Sequence, residues 1–276
     1  MLEDNYITCK LEQRTGNLMF QIAHAYAKAL EYDRQLILPR NVESSFGLQN
    51  TLFKKLHFGL NDLPDHALHV ESSFEFKEIF PADHIPTIFS GYFQSEKYFK
   101  KYKGSVRDLF YPSNDFIEKV YDDIPFIKDK IVLAINVRRG DYLSKPGGHP
   151  VITVEYINEA LKYLPKYDHV IVMSDDIEWC KENIKLPNVY YNEKYWDYEG
   201  LWLLSLCHHF IISNSTFSWW GAYLSRNKNK VVICPDTWFG PEITVNTEDI
   251  YCDNWIKIKT EYNNGKILIK KSCYSE

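Results

Sequence analysis

The sequence lacks the marks of several classes of protein. Its six cysteines, at positions 9, 180, 207, 234, 252 and 273, form no CxxC pair and no regular spacing. That argues against a cysteine-built metal site and against a disulfide framework. No run of about 18 apolar residues occurs, and the opening MLEDNYITCKLEQ has no apolar signal core. Neither a membrane-spanning helix nor a secretory leader is expected, and a reducing cytoplasm is the expected compartment. A broad positive surface is missing too. The net charge of −5 excludes an extended nucleic-acid face and leaves room only for a focal anion site. Glycine and proline are sparse, 12 of each in 276 residues. Neither a GxGxxG fingerprint nor a P-loop is present. What remains is a globular chain of one large or two small domains.

Aromatic residues are abundant, at 16% of the chain. Rings pack cores and also form platforms for sugars and bases, so they lean weakly towards a glycan or nucleotide ligand. The chain is organised around Ile131 to Tyr142, IVLAINVRRGDY. Its short, continuous, β-branched run predicts a central strand buried on both faces of a parallel sheet. The run then turns abruptly to Asn136, Arg138, Arg139, Gly140 and Asp141. Arginines leaving a buried strand need anionic partners. One can face a ligand while the other turns inward, with Asp141 as a nearby partner. A phosphate clamp and a salt-bridge cluster are the two readings of this stretch.

Around it, strands alternate with helices. Tyr6–Leu11 reads as a strand, Leu18–Leu30 as a helix with Leu18, Ile22, Tyr26 and Leu30 on one face, and Gln35–Leu38 as a second strand. Gly16 and Asn17 then stand at a helix N-terminus, where free N–H groups attract anions; a plain N-capped turn is the alternative. Residues 41 to about 125 are less regular, with Ser95–Lys103 reading as an exposed basic-aromatic helix. In the second half, strands are expected at Val170–Met173, Val189–Tyr191, Phe210–Ile212 and Val231–Cys234. Helices are expected after Thr153, near Asp197–Cys207 and over Phe217–Leu224. This pattern predicts a parallel α/β fold with right-handed crossovers. Cys207, His208 and His209 resemble a metal cluster only superficially, since neighbouring side chains on a helix diverge; a helix end with half-buried side chains is the expectation.

Three polar clusters follow predicted strands: Arg138 to Asp141, Ser174 to Asp176, and Asn214 to Thr216. Carboxyl ends of parallel strands share one edge, and that edge carries the ligand in open α/β sheets. Ser215, Thr216 and Ser218 at a helix start suit a phosphate or simple capping. Asp175 and Asp176 suit a guanine edge, a helix cap or, less well for so short a pair, a metal. Trp219 and Trp220 are expected to pack.

These segments carry a resemblance. Asn136 to Tyr142 resembles the HxRRxDY-type motif of α-1,2-fucosyltransferases, glycosyltransferase family 11. Gly16 to Gln21 is similar to that family's GNQMFQ segment. Gly91 to Phe99, Ser174 to Trp179 and Asn214 to Gly221 match further family motifs, in order, so the likeness runs from about residue 12 to about residue 256. It implies a GT-B-like α/β fold with two Rossmann-like halves, parallel sheets and a cleft between them. Residues 1–125 would be the acceptor side and 126–276 the donor side. It also implies GDP-β-L-fucose as donor, a galactose-terminated oligosaccharide as acceptor, inversion at the anomeric carbon, and no metal or other cofactor. The products would be bacterial surface glycans such as O-antigen. Membrane association would be limited to peripheral contact with lipid-linked glycan. By this analogy Arg138 holds the β-phosphate, and Asn17 and Ser215 to Ser218 help hold the diphosphate. Asp175 or Asp176 reads guanine, and Arg139 braces the loop through Asp141. Arg138 and Asp141 are the catalytic candidates. The sequence departs from the family where Asn136 replaces its usual histidine: an amide can hydrogen-bond a nucleotide but cannot carry a proton as a cation. A non-catalytic GDP- or glycan-binding module, or use of another GDP-sugar, are the alternatives.

Overall fold

The computed structural model describes residues 5–63 and 67–270, so Cys273 lies outside the described residues. The chain forms two compact units. Met1–Tyr111 together with Val245–Cys252 make the first, and Pro112–Thr244 with Asp253–Glu276 the second. The division falls ahead of residue 125, where the sequence suggested it, because Phe116 packs edge-on against Tyr195 and Trp202 of the second unit, 5.5 and 5.0 Å away.

In the first unit β1 (Tyr6–Cys9) leads into α1 (Thr15–Glu31) and β2 (Gln35–Pro39), the expected strand–helix–strand unit. The irregular stretch that follows holds α2 (Phe46–Gln49), β3 (His57–Leu60), β4 (Leu68–Val70), β5 (Thr87–Ser90) and α3 (Lys103–Phe110). The strands form one parallel sheet in the order β3-β2-β1-β5-β4. Strand β5 thus lies directly beside β1, in register Cys9↔Phe89. Its four residues, TIFS, are too short to show a period.

The expected exposed helix over Ser95–Lys103 is instead two 3₁₀ turns, Glu96–Tyr98 and Lys100–Tyr102, running into α3. Ser95, Glu96, Tyr98 and Phe99 are buried. The basic residues of this stretch suggested a solvated face, but the aromatic ones fix it. Tyr98 and Phe99 pack on the α1 side chains His24 and Phe20.

The second unit opens with α4 (Asn114–Asp123) and α5 (Phe126–Asp129). Then come β6 (Val132–Val137), β7 (Val151–Ile152), α6 (Val154–Leu161), β8 (His169–Ser174), α7 (Ile177–Asn183) and β9 (Val189–Tyr191). They are followed by α8 (Asp197–Ser205), β10 (His209–Ile211), α9 (Thr216–Leu224), β11 (Val232–Pro235) and β12 (Ile256–Ile258). Six strands make a parallel sheet in the order β12-β11-β10-β6-β8-β9. Strand β6 is central and buried along its whole length, as its β-branched run predicts. Ile131, expected inside it, is exposed just before its start.

Helix α6 begins where Thr153 was expected to cap it: Thr153 Oγ1 accepts the Tyr156 N–H at 3.3 Å. Trp219 and Trp220 are fully buried in α9, Trp219 stacking on Tyr223 and Trp220 meeting it edge-on. Helices α8 and α9 approach so closely that a Cβ on Gly221 would lie 2.8 Å from Leu204 Cβ. A small sheet of β7, β13 (Thr260–Asn263) and β14 (Lys266–Ile269) completes the unit. His208 and His209 do not face one site. Each accepts a separate main-chain N–H through Nδ1, from Val132 and Val231 respectively. Among the described residues, no helix is long and apolar enough to cross a membrane.

Candidate active site

Strands β10, β6 and β8 are neighbours, so the segments leaving their carboxyl ends meet at one edge of the second sheet. All three polar clusters noted in the sequence arrive there. Arg138 leaves β6 and pairs with two carboxylates. Its Nη2 lies 2.6 Å from Asp141 Oδ1, and its Nη1 lies 2.9 Å from Asp175 Oδ2. Arg139 turns the other way, with Nε 2.9 Å from Asp176 Oδ2 and its guanidinium 4.0 Å above the Trp179 ring. The expected Arg139–Asp141 pair is therefore not formed. Asp141 lies three residues after Arg138 on a 3₁₀ turn, Gly140–Ser144, and reaches Arg138 instead. Alternation along extended chain sends the two arginines apart, as their spacing suggested.

Asp175 and Asp176 are committed to this network. Asp175 Oδ1 accepts the Arg139 main-chain N–H at 2.9 Å, and Asp176 Oδ1 caps α7 by accepting the Trp179 N–H at 3.3 Å. Each of the four carboxylate oxygens already has one donor, and each keeps a second lone pair. Gly140 is the hidden requirement of the arrangement. A Cβ there would stand 2.4 Å from Asp175 Oδ2.

Asn136 lies inside, 6% exposed. Its Nδ2 donates to the Met173 carbonyl at 3.4 Å, and its Oδ1 accepts from the Ser218 hydroxyl. Ser218 also lies 3.0 Å from Ser213 Oγ. Asn136 and Ser218 thus tie the start of α9 to β6 and β8 rather than facing outward. Ser215 precedes α9 without capping it, and Thr216 is half-buried in its first turn. The first N–H groups of any helix lack a partner within their own turn, so this end retains anion-binding character.

Two residues were missed from the sequence. Tyr142 carries the Arg138 guanidinium 5.6 Å from its ring and donates its hydroxyl to the Asn214 carbonyl at 3.0 Å. Burial pushes its phenol up to about 12. His149 stacks on Tyr142, with ring centres 4.8 Å apart. Its Nδ1 is buried without a partner, and burial holds it below the usual imidazole range, with Asp141 pulling it the other way. Nothing in the spacing of SKPGGHP announced that the loop would return onto Tyr142. Among the described residues, no group of three His, Cys, Asp or Glu is placed to hold a metal ion.

A glycosyl transferase family 11 model matches residues 3–259. The chain belongs to this family. The likeness drawn from the motifs is borne out across the chain. An α-1,2-colitosyltransferase of Escherichia coli is 28% identical over 92% of this chain and 99% of its own length. The Escherichia coli O-antigen biosynthesis glycosyltransferase WbnK is 30% identical over 60% of this chain and 59% of its own. A crystal structure of the NodZ α-1,6-fucosyltransferase soaked with GDP-fucose shares the fold at a TM-score of 0.50 and 13% identity. That match covers 80% of this chain and 92% of NodZ. The GT-B-like class and the two Rossmann-like parallel units stand as expected.

In the first unit the remaining family 11 candidate, Asn17, occupies the first turn of α1 and is half-buried. The main-chain N–H groups of Asn17 and Leu18 both donate to the Arg14 carbonyl, at 2.9 and 3.1 Å. The backbone anion site suggested for Gly16 and Asn17 is thus partly occupied from within. The side chain of Asn17 is the group left to offer.

Proposed function

We propose that this family 11 transferase moves L-fucose from GDP-β-L-fucose to the 2-hydroxyl of a terminal galactose, inverting the anomeric centre, without metal. Breaking a glycosyl–phosphate bond builds positive charge on the sugar and negative charge on the departing diphosphate. The observation that carries the reading is Arg138. It leaves a fully buried central strand and is held by Asp141 and Asp175, and its side chain is 23% exposed. A guanidinium has five N–H donors, and those two contacts engage one on each terminal nitrogen. The others can meet the leaving group as its charge develops, which favours the transition state over the bound donor. The open end of α9, with Ser215 and Thr216, adds dipole and N–H donors for the diphosphate.

Asp141 acts in this scheme by aiming Arg138 rather than by taking the acceptor proton. Asp175 and Asp176 hold the two arginines. A guanine edge would meet their remaining lone pairs. The acceptor belongs to a bacterial surface glycan, which fits a catalyst working in the cytoplasm with at most peripheral contact with a membrane carrying lipid-linked glycan. The relatives named for α-1,2 transfer and for O-antigen synthesis support this setting.

A second reading is a different donor sugar, favoured by the colitosyltransferase match over nearly the whole of both chains. One experiment tests both. Labelled transfer to lactose and a panel of β-galactosides is measured with EDTA present, and GDP-mannose and UDP-galactose compete with GDP-fucose. Product from GDP-fucose, reduced at least ~10²-fold by Arg138→Lys, is expected, because lysine keeps the charge but loses the fork. Absence of GDP binding would sink the proposal. GDP binding without transfer from any GDP-sugar would leave a non-catalytic binding module.

A further inference from the structure

Asn17 and Gln94 lie 77 residues apart but leave the carboxyl ends of adjacent strands, β1 and β5. Gln94 Nε2 donates to Asn17 Oδ1 at 3.0 Å. Gln94 is 6% exposed, and its Oε1 is buried with no hydrogen-bond partner. The turn that delivers it is heavily braced. Glu71 accepts the N–H groups of Tyr92 and Phe93 at 2.7 and 3.1 Å, and Phe93 holds a left-handed φ of 51°. Gly91 leaves no room for a side chain, since a Cβ would lie 2.3 Å from Glu71 Cβ. The Phe93 ring stacks on His24 of α1 at 4.1 Å.

We propose that Gln94 is a positioning residue that sets the Asn17 amide so that its two N–H donors face the donor diphosphate. The inference rests on the donor reading above. An amide has one acceptor end and one donor end. With Asn17 Oδ1 engaged by Gln94, its Nδ2 is the end left for a ligand, at the positive end of a 17-residue helix. Turning both amides round would bury the Gln94 NH₂ group without an acceptor. The observed setting leaves only one oxygen unmatched. Without that bond the Asn17 amide could rotate and present its oxygen, which repels phosphate.

The unmatched Oε1 makes the idea testable, because a buried acceptor with no donor weighs against folding. Gln94→Met keeps the length of the side chain and removes the amide. It should leave the melting temperature unchanged or raised, while weakening GDP binding ~10-fold, the loss of one charge-assisted hydrogen bond. Asn17→Ala should weaken GDP binding by about the same factor, and the double variant no further. Calorimetric titration with GDP, and the KM for GDP-fucose against kcat, are the readouts. Gln94→Glu should be worse than Gln94→Met, because a carboxylate turns the Asn17 amide and aims its oxygen outward.

Independent, additive losses in the double variant would overturn the proposal. So would a lowered melting temperature with unchanged GDP affinity, the mark of a merely structural glutamine. Wild-type protein that binds GDP while Asn17→Ala binds it equally well would overturn this inference alone. Wild-type protein that does not bind GDP would overturn the donor reading and this inference with it.

Discussion

Gly140→Ala separates the geometry of the arginine clamp from its chemistry. No side chain involved in charge is altered, and the backbone at Gly140 is not in the left-handed region, so alanine is tolerated there conformationally. The added methyl would nonetheless lie 2.4 Å from Asp175 Oδ2, where ordinary contact begins at 3.4 Å. The carboxylate must retreat by about 1 Å, because the methyl is fixed and the Asp175 side chain can turn. That carries the Arg138–Asp175 contact from 2.9 Å beyond hydrogen-bond range. Both partners are about a quarter exposed, so losing the pair should cost about 0.5–1 kcal/mol of stability. For a chain of this size that lowers the melting temperature by about 1–4 °C.

The effect on transfer should be far larger. A group misplaced by about 1 Å costs up to ~10²-fold in rate when its role is to meet a developing charge. The expected pattern is a small thermal shift with a ~10- to 100-fold fall in kcat/KM, measured by thermal denaturation and labelled-sugar transfer on the same preparation. Gly140→Ala transferring at the wild-type rate would refute the reasoning, since Arg138 would then need no fixed setting.

Restoring the histidine of the family motif should not raise activity. Asn136→His places a larger ring at a position 6% exposed and displaces the Ser218 and Met173 contacts, for a loss of about 1–3 kcal/mol in urea titration. His149 should make stability depend on pH. Burial lowers its folded-state pKa below the unfolded value of 6.5, so the neutral ring is preferred in the fold. Its stabilising contribution is complete above about pH 6.5 and declines as pH falls below that value towards the folded pKa. His149→Phe, which keeps the stack on Tyr142, should remove that part of the slope. Denaturation measured at intervals from about pH 5 to 8 checks the sign.

The second unit was far more legible than the first because burial on both faces of a parallel sheet writes continuous apolar runs into the sequence. Strands β6, β8, β10 and β11 were found within a residue or two, and Thr153 announced α6 by its capping chemistry. In the first unit β3, β4 and β5 are three or four residues long, below the length at which a period can be read. Their identity comes from pairing, β3 with β2, β5 with β1 and β4 with β5, which local sequence does not encode. Lys97, Lys100 and Lys101 misled in the other direction. They are real surface charges, but they decorate turns anchored by buried Tyr98 and Phe99.

That the three candidate clusters meet at one sheet edge could be read from the sequence, but their pairing could not. Sequence distance suggested Asp141 for Arg139, whereas the 3₁₀ turn after β6 delivers it to Arg138 and leaves Arg139 to Asp176 and Trp179. The consequence is electrostatic. Two arginines stand among three aspartates, Asp141, Asp175 and Asp176, so the cluster without ligand carries a formal charge of −1 rather than an open positive pocket. On the donor reading proposed above, a diphosphate entering it would compete with carboxylates for Arg138, and the net attraction would be smaller than a bare guanidinium would exert. That favours catalysis over tight binding. On the reading proposed above, the arginine is already held and aimed, and its hold strengthens only as the leaving oxygen gains charge. Asp175 is the weight on this balance, because it holds Arg138 with one oxygen and the Arg139 backbone with the other. Asp175→Asn should therefore tighten GDP and slow transfer together, whereas a simple loss of a binding residue would weaken both.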